Sequence, residues 1–168
     1  TEACVVFGQQ GIWPAFFNGW NLPGVITLDS FFRYVNEFKV LPGRNFLFQG
    51  TTNRVLRAAT IALSRKAKSV HVIDQSENVT CWRAHSDRFL MNGGKMLMNH
   101  ALQRAVADEV GNVKLSYIKN PQGMLILETD TIVLDVVNEQ KMNAPTEWKR
   151  GLFYLQRRVS PYETYCDE

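Results

Sequence analysis

The chain has 168 residues, 45% hydrophobic and 21% charged, with a net charge of +3, a size that fits one domain or one and a half. The apolar share excludes wholesale disorder, no apolar run reaches the ~18 residues of a membrane span, and the weak, scattered positive charge argues against a nucleic-acid partner. Cys4, Cys81 and Cys166 stand far apart, with no CxxC and no zinc spacing, which points to a reducing, cytoplasmic compartment. No signal-peptide pattern opens the chain, and a first residue that is Thr1 rather than Met points to a processed chain or a piece of a longer one.

Residues 3–7 are apolar and end at Gly8, the pattern of a buried strand. Residues 19–23 read as a loop, and 28–38 as a helix with Phe31, Phe32, Val35 and Phe38 inward. Leu41-Pro42-Gly43-Arg44 is a turn, followed by the bulky apolar run 45–49, a strand. Gly50-Thr51-Thr52-Asn53 breaks it. Val55, Leu56, Ala58, Ala59, Ile61, Ala62 and Leu63 then recur at helical spacing, closing on Arg65, Lys66 and Lys68, cations suited to a helix C-terminus. Residues 69–74 form a second strand ending on Asp74. Strand, polar turn, helix and strand within about thirty residues make a βαβ unit.

Residues 87–110 read as a further helix, with Leu90, Leu97, Met98, Ala101, Leu102, Ala105 and Val106 sharing a face. Gly93-Gly94 marks an alternative start for it, and Gly111-Asn112 stops it. Three extended runs follow at 113–118, 124–128 and 131–137. Asn120-Pro121-Gln122-Gly123 joins the first two into a hairpin. Residues 138–168 are mixed, with Trp148, Phe153, Tyr154 and Tyr162 available to cover a core or a partner.

Four segments, in this order, resemble one family. Residues 4–10 (Cys-Val-Val-Phe-Gly-Gln-Gln) match a strand ending in Ala-Thr-Gly-Ala, and Gly19-Trp20-Asn21-Leu22-Pro23-Gly24-Val25 matches a Gly-Trp-x-Leu-Pro-Gly-Val loop. Leu41-Pro42-Gly43-Arg44 with the Gly50-Thr51-Thr52-Asn53 turn matches the start of a dinucleotide-binding unit, and residues 128–134 (Glu-Thr-Asp-Thr-Ile-Val-Leu) match the strand that returns from it. The set resembles flavoprotein oxidoreductases of the pyridine-nucleotide-disulfide reductase type, nearest to the large subunits of heteromeric amine, sarcosine and opine oxidases. It covers roughly residues 3–137. The resemblance implies the NAD-binding insertion of such a subunit, with NAD held beside an FAD bound by a separate flavin domain. That flavin domain, or a partner subunit, would complete the enzyme.

The fold class implied is α/β: a Rossmann-like core with a mainly parallel sheet, helices on both faces and an antiparallel hairpin or meander. Residues 1–25 would come from a flavin-domain-like region, 26–137 would form the nucleotide-binding domain, and 138–168 a C-terminal extension. The dinucleotide fingerprint G-x-G-x-x-G keeps only its first glycine, Gly50. Thr52 and Val55 hold the second and third places, so a branched side chain stands where a phosphate would approach the backbone.

Two readings therefore stay open. In the first, Gly50, Thr51, Thr52, Asn53 and Arg54 cradle a pyrophosphate at a helix start, and Asp74, 24 positions after Gly50, bonds the adenosine ribose and favours NAD over NADP. In the second, the turn is an ordinary N-cap, Asp74 is a solvated turn acid, and the domain is a degenerate structural or subunit-contact module. No catalytic residue and no metal set is assigned. His71, His85 and His100 have no ligand spacing; His71 reads as a structural strand histidine, the other two as surface residues. Asp29, Asp87 and Asp108 read as caps or surface charges, and Cys81 as a buried thiol. The aromatics Trp13, Phe16, Phe17 and Trp20 would pack on a flavin domain or drive self-association into a homo-oligomer.

Overall fold

A computed structural model describes residues 17–135. The expected strand at 3–7, the extension at 138–168, and Trp13 and Phe16 lie outside the described residues. Eleven elements follow in chain order: β1 (Val25–Thr27), α1 (Leu28–Asn36), β2 (Asn45–Gln49), α2 (Asn53–Ser64), β3 (Ser69–Asp74), α3 (Arg83–Met91), β4 (Lys95–Met98), β5 (Ala101–Ala107), β6 (Val113–Asn120), β7 (Gly123–Glu128) and β8 (Thr131–Leu134). Five strands form a parallel sheet in the order β1-β8-β2-β3-β4. The other three form an antiparallel meander, β5-β6-β7.

The strands of the parallel sheet are apolar on both faces, as strands covered on both sides must be. Phe46 and Phe48 of β2, Val70 and Val72 of β3 and Val133 of β8 face α1, α2 and α3. Leu47, Ile73, Ile132 and Leu134 face the meander, against Leu102, Ala105, Val113 and Ile118. The α/β class, the parallel sheet and the antiparallel element are those read from the sequence. The helices differ in placement: all three share one face, because the meander already covers the other.

Local chemistry accounts for the helices. Thr27 caps α1, its Oγ1 accepting from Ser30 N at 3.2 Å, and Leu28, Phe31 and Val35 recur on the buried side. On α2 the small residues Ala58, Ala59 and Ala62 are fully buried, which lets its axis approach the sheet closely. α1 ends at Asn36, so Phe38 is not inward as expected. It is 56% exposed, its ring 5.8 Å from the Arg33 guanidinium.

The long helix at 87–110 does not exist; its span holds the last part of α3, then β4 and β5. Gly93 turns at φ +85, and Gly94 packs so tightly on the buried Phe89 ring that no side chain fits. Asn99 makes a second turn at φ +61. Register shifts in β5 between Leu102 and Arg104 and between Val106 and Ala107 bring Leu102 and Ala105 onto one buried face. A bulged strand thereby presents apolar residues three apart, the spacing of a helix. The final strand runs from Thr131 to Leu134 among the described residues; residues 136–137 of the expected run lie outside them.

The Gly19–Val25 loop is held by backbone. Pro23 O accepts from Val113 N at 3.0 Å and Gly24 O from Ile132 N at 2.8 Å. Gly24 has φ +103, and a Cβ there would lie 2.6 Å from Asp130 O, so glycine is required on both counts.

Candidate functional site

From β2 the chain passes through α2 to β3 on one side, while β8 lies on the other side of β2. The carboxyl ends of β2, β3 and β8 therefore lie at one end of the parallel sheet, the end at which open parallel sheets bind ligands. Gly50 follows β2, Asp74 closes β3 and Asp135 follows β8.

Gly50 turns at φ +101 and donates its N–H to Ile73 O at 2.8 Å. A Cβ there would meet Asp135 Cβ at 3.7 Å and Val55 Cγ2 at 3.8 Å, ordinary contact, so the positive φ rather than crowding calls for glycine. Thr51 is fully buried. Its hydroxyl donates to Asp74 Oδ2 at 2.7 Å and accepts from Thr80 N at 3.2 Å, tying the end of β3 to the chain beyond it. Thr52 is the N-cap of α2; its Oγ1 accepts from Val55 N at 3.3 Å and donates to Asp135 Oδ2 at 2.6 Å. Asn53 Oδ1 accepts from Trp82 N at 2.8 Å, and Arg54 pairs with Asp29 of α1.

Of the six residues singled out from sequence, Gly50, Thr51, Thr52 and Asp74 meet at the carboxyl ends of β2 and β3. Asn53 binds the segment before α3, and Arg54 binds α1. Asp74 also accepts from Ser76 N at 2.9 Å through Oδ1. A carboxylate has about four acceptor sites, so two sugar hydroxyls can still bond to it. Asp135 is the site residue that sequence reading did not single out. Its one signal is an acid directly after an apolar strand.

Among the described residues no cluster of three or more His, Cys, Asp or Glu could hold a metal, and no helix is long and apolar enough to cross a membrane. The half-buried Cys81 thiol has its pKa pushed up by burial. His85 and His100 are half-buried rather than surface residues. The His85 ring stacks on Trp82 at 6.2 Å, and His100 joins Met98 O at 2.6 Å to the Asn120 amide at 3.3 Å.

His71 lies on β3 opposite Lys95 of β4, and its pKa is lowered, first by burial and then by the Lys95 charge. The unfolded chain therefore binds a proton here more readily than the folded one. Stability from this group is fully present above the ordinary histidine pKa of about 6.5 and is lost as pH falls through that value toward the lower folded one. His71→Gln should flatten the acid-side loss of stability between about pH 7 and 5, measured by urea unfolding across pH. Parallel profiles for the two proteins would refute this.

No protein-family model matches the chain, and no curated protein matches it in sequence. Solved structures do match it in fold. A thioredoxin reductase from T. acidophilum superposes with a TM-score of 0.58 at 20% identity, over 71% of this chain and 38% of that one. A thioredoxin reductase from Giardia duodenalis gives 0.60 at 17% identity, over 73% and 40%. A ferredoxin reductase from Rhodopseudomonas palustris gives 0.59 at 18%, over 74% and 32%. The chain spans two fifths or less of the length of these reductases. The likeness is one of fold: the chain has the Rossmann-like architecture found in such reductases.

Proposed function

We propose that this chain is an adenine-nucleotide-binding domain of a flavin-dependent, NAD-linked oxidoreductase, of the kind found in amine, sarcosine or opine oxidases. The observation that supports the reading is the convergence of Gly50, the start of α2 and Asp74 at the carboxyl ends of β2 and β3. Asp74 would accept the ribose hydroxyls, and bare Gly50 would let the 5′ side of the nucleotide lie against the backbone. NAD, when bound, supplies hydride chemistry; this chain orients its adenosine half. The FAD would belong to a missing flavin domain or partner subunit, in the cytoplasm.

A second reading, a degenerate domain serving subunit contact, is favoured by one observation. The hydroxyls of Thr51 and Thr52 are both turned onto the chain's own carboxylates, Asp74 and Asp135.

Thermal unfolding of the chain with AMP, NAD, NADP and FAD separates the readings. An adenine nucleotide at 100 times its dissociation constant should add about 2.7 kcal/mol of stability, and Asp74→Ala or Asp74→Asn should abolish that gain. The absence of any shift at millimolar nucleotide would leave the contact-module reading.

A further inference from the structure

We infer that Asp135 sets how this site holds its nucleotide: its carboxylate stands at the start of α2, so the site grips adenosine and disfavours every phosphate on the 5′ side, that of AMP as well as those of ADP and NAD. The inference rests on the nucleotide-binding reading above and narrows its ligand.

A helix start attracts an anion through its free N–H groups and its dipole. α2 carries no acid in its own first turn. The anion arrives instead from β8, where Asp135 Oδ2 takes the Thr52 hydroxyl at 2.6 Å across 83 positions of sequence. Asp135 also stands over Gly50, its Cβ 3.7 Å from where a side chain there would begin. An acidic residue thus packs closest to the place where a Gly50 side chain would begin, followed by Val55 Cγ2 at 3.8 Å.

The charges facing the turn add to this. Asp74 comes from β3, Asp29 from α1 and Asp135 from β8, against Arg54 of α2, whose guanidinium is engaged by Asp29. A ribose held at Asp74 needs nothing from the α2 start. Each phosphate added on its 5′ side meets the Asp135 charge, and a like charge about 4 Å away near a protein surface lowers affinity roughly tenfold or more.

The test titrates adenosine, AMP, ADP, NAD and inorganic pyrophosphate calorimetrically into the full chain and into Asp135→Asn. Asparagine keeps an acceptor for Thr52 and removes only the charge. The chain should bind adenosine more tightly than AMP, ADP or NAD. Asp135→Asn should raise affinity for AMP, ADP, NAD and pyrophosphate about tenfold and leave adenosine unchanged. If NAD binds the unmodified chain more tightly than adenosine, or the NAD-to-adenosine ratio is the same in both proteins, the inference is overturned. Pyrophosphate, lacking a nucleoside, isolates the block from the Asp74 reading. A gain for pyrophosphate with no adenosine binding anywhere would sink the nucleotide-binding reading while upholding Asp135 as an anion block. Silence from all five ligands in both proteins would overturn both. Should Asp135→Asn fail to fold, judged by its thermal transition, Asp135→Ser repeats the comparison.

Discussion

Phe31→Ala should lower the stability of the chain by about 3–5 kcal/mol, read as a fall in the urea midpoint with an unchanged slope. Phe31 is fully buried and meets Phe46 and Phe48 of β2 edge-on, with ring centroids 5.9 and 5.4 Å apart. α1 has nine residues, too few to persist in water without packing. Its attachment runs through Leu28, Phe31 and Val35, and Phe31 is the largest of these. Truncation removes the apolar burial and the edge-to-face contacts together, and leaves a void between helix and sheet. Phe32→Ala, one position on and half-buried, should cost clearly less. Equal losses would mean that α1 does not present this face to β2.

The βαβ unit at 45–74 was legible because its signals are local. A bulky apolar run, a glycine turn, an alanine-rich amphipathic helix and a second run follow one another without interruption, and the structure keeps that order. The hairpin at 113–128 was legible for the same reason, through its Asn120–Gly123 turn. The 87–110 stretch was not. β4 is four residues long, too short for alternation to register, and the bulged β5 repeats its buried residues at a helical interval. Nothing local distinguishes that pattern from a helix. Only the positive φ at Gly93 and Asn99 does so.

The candidate site divides along the same line. Gly50 and Asp74 were visible as turn and strand end. The partner of Asp74 was not: Thr51 reads as a helix-start hydroxyl, yet it is buried and donates to that carboxylate. Asp135 was invisible because its neighbour Thr52 is set by β8 inserting between β1 and β2. That pairing joins residues more than eighty positions apart.

Asp130→Ala should lower stability by about 3 kcal/mol and expose the amides of Arg44 and Asn45 to hydrogen exchange. The Asp130 carboxylate accepts from Arg44 N at 3.0 Å and Asn45 N at 2.9 Å, and Thr131 Oγ1 donates to it at 3.0 Å. Hydrogen bonds to a charged acceptor contribute about 1.5–3 kcal/mol each; they share one carboxylate, so their losses do not simply add. These contacts lock the start of β2 to the start of β8, where Phe46 pairs with Thr131. Gly43 packs against Thr131 and the same carboxylate, leaving no room for a side chain. A slip of one residue here would turn Phe46 and Phe48 away from the helices, so the lock guards the core. It also guards the candidate site, because the same register sets Gln49 against Leu134 at the far end and so brings Asp135 to Thr52. Asp130→Ala should therefore also weaken the discrimination against pyrophosphate, although it lies at the opposite end of the strands. Full stability and unchanged exchange at Arg44 and Asn45 would show that the sheet's apolar side chains hold the register without it.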